Sequence, residues 1–142
     1  MSTVEVARPY PGKPGTGPWI SRELFRYLSV GVANMVVGLS TIYLCMSALH
    51  AGDLGSNVLG YCAGVICSFV LNRRWTFAST GDWLPQLGRF LLVLGIAYAA
   101  NIITVLALID RFGANRYLAQ ALGTIPYTVI GYVGSRVFAF RR

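Results

Sequence analysis

A chain of 142 residues that is 55% apolar and only 12% charged, with positive mean hydropathy, carries more apolar side chain than a soluble core of that size buries. Its net charge of +7 comes from 12 Lys and Arg against five acids, and most of those cations flank apolar runs. That placement argues against a nucleic-acid partner, points to anionic lipid headgroups as the counter-charge, and indicates an all-α integral membrane protein.

Residues 1–22 differ from the rest: Pro9, Pro11, Pro14 and Pro18 alternate with Gly12, Gly15 and Gly17, and no apolar run is long enough for a signal-peptide core. This composition predicts a flexible, uncleaved cytoplasmic tail ahead of a transmembrane domain over 23–142. Charge-free stretches then cover 27–52, 54–72, 90–109 and 117–135. At about 1.5 Å rise per residue, roughly 20 residues cross the ~30 Å hydrocarbon layer, so four transmembrane helices are expected, the first over about 25–49.

The first span carries Gly31 and Gly38 seven apart, and Asn34 and Thr41 two turns apart on one face. The second carries Gly60, Gly64 and Ser68 at four-residue spacing, a stripe that lets a neighbouring helix approach. The stripe serves contact within the monomer or the seam of a homodimer. Cys45, Cys62 and Cys67 lie inside spans without CxxC spacing and read as packing residues. After the second span, Trp75, Phe77, Trp83, Leu84 and Leu87 interleave with Asp82 and Pro85. Such a segment lies in the cytoplasmic interface as an aromatic belt, or serves as a docking surface for a membrane enzyme. The third span carries Asn101 and Thr104; the fourth carries Gln120, small residues at Gly123, Gly131 and Ser135, and Pro126, which is expected to kink it.

The two span pairs repeat at one fixed, ungapped offset, which aligns Arg26 with Arg89, Gly60 with Gly123, Arg73 with Arg136 and Phe77 with Phe140. Repeat one covers about 25–77 and repeat two about 88–140. Because each unit has an even number of spans, the copies begin on the same side, giving a tandem two-plus-two parallel bundle. With the tail inside, ten cations fall on the cytoplasmic side and only Arg111 and Arg116 on the other, so both termini are expected in the cytoplasm.

Catalysis finds no support. Glu5, Glu23, Asp53, Asp82 and Asp110 are scattered outside the span interiors, and no acid–base pair, metal cluster or nucleophile triad is present. No cofactor is expected. The missing embedded acid also argues against a proton-coupled exporter.

The decapeptide Ser68-Phe69-Val70-Leu71-Asn72-Arg73-Arg74-Trp75-Thr76-Phe77, after a glycine-rich span, resembles the signature of the GtrA-like family of small membrane proteins. Arg26-Tyr27-Leu28-Ser29-Val30-Gly31 and Arg89-Phe90-Leu91-Leu92-Val93 are similar to that family's first-span and third-span starts. The resemblance implies translocation of a polyprenyl-phosphate-linked sugar from the cytoplasmic to the outer leaflet of a bacterial-type inner membrane, for envelope polysaccharide synthesis. It also implies a membrane glycosyltransferase as partner. The second-repeat copy of the signature departs from the first, with Ser135 in place of Asn72 and Val137 in place of Arg74.

Guanidinium groups hold phosphate through paired hydrogen bonds, so Asn72, Arg73, Arg74 and Arg136 are the phosphate candidates. The other reading of these arginines is that they snorkel to the interface and set topology. A sugar crossing hydrocarbon needs hydrogen-bond partners, and Asn34, Asn101, Thr41, Thr104 and Gln120 are the candidates for its path. For each threonine the other reading is a hydroxyl bonded back to its own helix. The competing function is a non-transporting partner that anchors or regulates a glycosyltransferase.

Overall fold

The computed structural model describes residues 22–50 and 52–141; of the predicted tail, 1–22, residues 1–21 lie outside them and Arg22 opens the first helix. Four helices follow in order: α1 Arg22–Ala48, α2 Asp53–Leu71, α3 Trp83–Phe112 and α4 Arg116–Gly134. Among the described residues there is no strand. Among the described residues three segments are long and apolar enough to cross a membrane: Arg22–Ala48, Asp53–Thr76 and Trp83–Phe112. The helix on which the fourth predicted span falls, α4, is not among them, because Gln120, Thr124, Pro126 and Thr128 dilute its apolar content.

α3 starts at Trp83, ahead of the charge-free stretch 90–109, so Trp83, Leu84 and Leu87 of the segment expected at the interface lie in the first turns of this helix. Asp82 adopts extended backbone as its N-cap, and Pro85 falls in the first turn, where no backbone N–H is needed. Its 30 residues reach about 45 Å, longer than the hydrocarbon layer.

The helices form two antiparallel hairpins held by close contacts at glycine. In the first, Gly60 of α2 faces Gly38 and Ile42 of α1, and Gly64 faces Asn34. In the second, Gly123 of α4 faces Asn101 and Val105 of α3, and Gly134 faces Val93. The α3–α4 turn is written locally. Gly113 takes the left-handed conformation at φ 60°, and the N–H groups of Gly113 and Ala114 donate back to the Ile109 and Leu108 carbonyls at 3.1 and 3.0 Å. Asn115 then caps α4 by accepting the Tyr117 N–H at 2.8 Å.

Each hairpin ends in a π-helical turn, Asn72–Thr76 after α2 and Ser135–Ala139 after α4. The closing hydrogen bonds match: Phe77 N–H to the Asn72 carbonyl and Phe140 N–H to the Ser135 carbonyl, both 2.9 Å. The bounds of α4 and its turn follow those of α2 and its turn at the same offset that aligns Arg73 with Arg136. At this end, which we call the arginine end, the hairpins meet in a buried aromatic cluster. Phe77 stacks on Phe140 at 5.2 Å between centroids. Around that stack, Tyr27–Tyr132 at 5.5 Å is matched by Phe90–Phe69 at 5.6 Å, and Phe77–Tyr132 at 6.2 Å by Phe140–Phe69 at 5.7 Å. The outward faces carry exposed apolar side chains such as Val36, Leu44, Ile66, Ile96, Ile103 and Ile125, as suits a surface solvated by lipid.

Candidate functional site

Two neighbouring features carry polar groups into this apolar bundle. One is a cavity of about 320 Å³, open on one side, between α1 and α2. Asn34, Gly38 and Ile42 line it from α1, Gly60, Gly64 and Ser68 from α2, and Leu94 and Tyr127 reach it from the second hairpin. The space exists because α2 places the small residues Gly60, Gly64 and Ser68 along it, between the larger Tyr61 and Val65. Asn34 lies over Gly64, its Oδ1 occupying the place that a Cβ would need. Among the described residues no hydrogen bond holds the Asn34 amide. An amide without a partner in an apolar groove is a poised ligand group. One turn beyond Gly64, Ser68 Oγ accepts from Asn72 Nδ2 at 3.2 Å, so the small-residue face of α2 runs from the groove into the π turn.

The second feature is the pair of π turns, each of which projects an arginine toward the start of the other hairpin. Arg73 Nε donates to Gln86 Oε1 at 2.9 Å and its Nη2 to the Gly81 carbonyl at 2.7 Å. Gln86 Nε2 in turn donates to Ser79 Oγ at 2.6 Å, and Ser79 N–H to the Arg73 carbonyl at 2.8 Å. Arg136 Nε pairs with Glu23 Oε2 at 3.5 Å, and its Nη1 donates to the Tyr132 hydroxyl at 3.3 Å. Glu23 and Gln86 stand at the same sequence offset as the two arginines. The halves therefore exchange equivalent arginine contacts. Arg26 and Arg89 also make matching contacts, each within its own half: Arg26 lies over the Trp75 ring at 5.4 Å and Arg89 over Phe138 at 5.8 Å.

Of the residues expected to hold phosphate, Arg73 and Arg136 are half-buried with the separate partners just described, and Arg74 is exposed. Asn72 is buried, and its Oδ1 makes no hydrogen bond. Of the residues expected along the sugar path, Asn34 lines the groove while Thr41, Asn101, Thr104 and Gln120 do not. Thr41 and Thr104 each donate to their own helix, to the Val37 and Ala100 carbonyls at 2.8 Å. Asn101 packs against Gly123, and Gln120 lies on the exposed face of α4. Glu23, Gln86, Tyr27, Tyr127 and Tyr132 belong to these sites without standing out in the sequence. The signal for Glu23 and Gln86 is their shared place in the repeat, two polar groups each one turn ahead of an aromatic in a helix start. For Tyr127 it is the pairing of a large ring with Gly64 at equivalent positions.

The chain matches the family described as GtrA/DPMS, transmembrane domain, over residues 26–140. It is 28% identical over 121 residues to the uncharacterized membrane protein YngA of Bacillus subtilis, covering 84% of this chain and 80% of that one. The cell wall teichoic acid glycosylation protein GtcA of Listeria monocytogenes is 24% identical over 131 residues, 87% and 90% of the two chains. A bactoprenol-linked glucose translocase of Shigella flexneri is 24% identical over 126 residues, 88% and 97% of the two chains.

Proposed function

Because this chain belongs to the GtrA/DPMS transmembrane-domain family, we propose that it moves a polyprenyl-phosphate-linked sugar from the cytoplasmic to the outer leaflet of a bacterial-type inner membrane, supplying envelope polysaccharide glycosylation. Relatives named as a bactoprenol-linked glucose translocase and as a teichoic acid glycosylation protein, each aligned over more than four-fifths of both chains, support this reading. The observation that carries it is the open groove between α1 and α2, with the unpartnered Asn34 amide, leading through Ser68 and Asn72 to the arginine end. A sugar hydroxyl leaving water needs such a partner, while the prenyl tail stays in lipid. The protein acts as a transporter and not as a catalyst, and movement follows the gradient between synthesis inside and consumption outside.

In this arrangement α4 is the fourth span, the hairpins are copies of one duplicated unit, and the arginine end with both termini faces the cytoplasm. Arg26, Arg73, Arg74, Arg89 and Arg136 then lie on the inner side, in keeping with the positive-inside rule. The lipid phosphate sits among Asn72, Arg73, Arg74 and Arg136, where a polyprenyl-phosphate glycosyltransferase delivers it. The test compares right-side-out with inverted membrane vesicles from cells with and without the gene. Loss of lipid-linked sugar from the outer leaflet alone supports translocation; loss from both leaflets favours a helper of the glycosyltransferase.

A further inference from the structure

The two arginine sites are equivalent in backbone and opposite in chemistry. Around Arg73, the repeat mates of Tyr27 and Tyr132 are Phe90 and Phe69, hydrocarbon rings with no hydroxyl. Its guanidinium is held by a neutral amide and a carbonyl, in two short bonds that also secure the Phe77–Asp82 connection. Nothing in that set is displaced by an incoming anion. Around Arg136 the same places carry hydroxyls. Tyr132 Oη accepts from the guanidinium, which leaves its own proton for another acceptor. The Tyr27 hydroxyl sits against fully buried Ser135 and so close to Gly131 that a side chain there would collide with it.

One guanidinium with the Tyr27, Tyr132 and Ser135 hydroxyls beside it can supply an oxyanion's donor set, and one anion, Glu23, already pairs with the guanidinium. Glu23 meets Arg136 at 3.5 Å, and its buried Oε2 makes no hydrogen bond. A carboxylate selected for this place as a permanent partner would be expected at about 2.7–2.9 Å with its lone pairs satisfied.

We propose that Arg136, Tyr27, Tyr132 and Ser135 form the seat for the lipid's phosphate, that Glu23 fills this seat when no lipid is bound and swings out when one enters, and that Arg73 is a positioning residue for the connecting loop. The proposal rests on the translocation reading and narrows its phosphate set to the second half. Glu23 keeps the empty site neutral and weakens the hold on phosphate, so that the lipid can leave. The carboxylate at the start of α1 thus couples headgroup arrival to the α1–α4 contact.

The test measures binding of radiolabelled undecaprenyl phosphate to the full chain in zwitterionic nanodiscs, with thermal melting of each variant recorded beside it. Arg136→Ala weakens binding about tenfold or more, the loss of one charge-assisted contact. Glu23→Gln tightens it by roughly threefold, the release of a half-exposed ion pair. Tyr132→Phe, which removes only a hydroxyl, weakens binding at unchanged melting temperature. Gln86→Ala lowers the melting temperature and leaves affinity unchanged. Wild-type affinity in Arg136→Ala, or weaker binding in folded Glu23→Gln, overturns the seat while leaving translocation standing. Absence of lipid binding by the folded wild type overturns both. Equal displacement of the lipid by equimolar inorganic phosphate overturns the assignment to a lipid.

Discussion

Asn34 lies directly against Gly64, and the repeat mates of these two residues are Ala97 and Tyr127. The first hairpin pairs a large polar side chain with no side chain; the second pairs a small one with a tyrosine that reaches into the first hairpin's groove. Two similar backbones therefore give this groove an unequal lining. An asymmetric path of this kind suits a headgroup that enters at one place, and it locates the changes that separate transport from folding.

Asn34→Leu keeps the branching at Cγ and removes the amide. Transport is expected to fall about tenfold, the loss of one partner for a buried hydroxyl, while membrane insertion and melting temperature hold. Asn101→Leu behaves differently, because Asn101 Nδ2 packs where Gly123 has no Cβ; stability drops along with transport. Transport rates in vesicles beside thermal melting in detergent separate the two.

Gly60→Ala places a Cβ about 2.8 Å from the Gly38 carbonyl oxygen, which is backbone and cannot swing aside. α1 and α2 must separate, at about 1–3 kcal/mol. Gly64→Ala meets only Asn34, whose amide can rotate out, so the fold is retained and transport is lost. The two alanine variants, compared by denaturation and by transport, are expected to fail in opposite assays.

Arg73→Ala leaves Gln86 Oε1, on a residue 4% exposed, without its donor. The expected loss is about 1–3 kcal/mol of stability. Arg73→Lys recovers part of it, since an ammonium cannot reproduce the two-pronged contact to Gln86 and Gly81. Protease sensitivity of the Phe77–Asp82 connection is the specific readout and is expected to rise in both variants.

Phe140→Ala removes the stacking partner of Phe77 together with the ring contacts to Phe69 and Phe90. Destabilisation on the order of 3 kcal/mol is expected, the low end for phenylalanine truncation in a packed core, because lipid already solvates apolar groups and only packing is lost. Phe140→Leu costs less, as seen by melting in detergent.

Much of the fold is legible in the sequence because charge and hydrocarbon exclude each other: every charge-free stretch contains the body of a helix. The start of α3 is not, since Trp83, Leu84 and Leu87 suit an interfacial belt and a helix's first turns equally well. The π turns leave no trace in periodicity. Their extra residue is set by closure of Phe77 and Phe140 onto one another, a contact between segments far apart in sequence. Asn34 and Asn101 both stand out in the sequence because an amide in lipid needs a partner, and only Asn34 lines the groove. The exchange of Arg73 and Arg136 between halves is not legible, since cross-half contacts become visible only when the copies are laid against each other in space.

The most direct measurement uses purified protein in sealed liposomes with polyprenyl-phosphate-linked sugar in one leaflet, scored by a membrane-impermeant sugar-modifying reagent. Wild-type protein is expected to expose the protected pool far beyond protein-free vesicles, and Asn34→Leu, equally well folded, to fall toward the protein-free level. A folded wild-type protein that exposes no more sugar than empty vesicles would contradict translocation and leave the glycosyltransferase partner as the function.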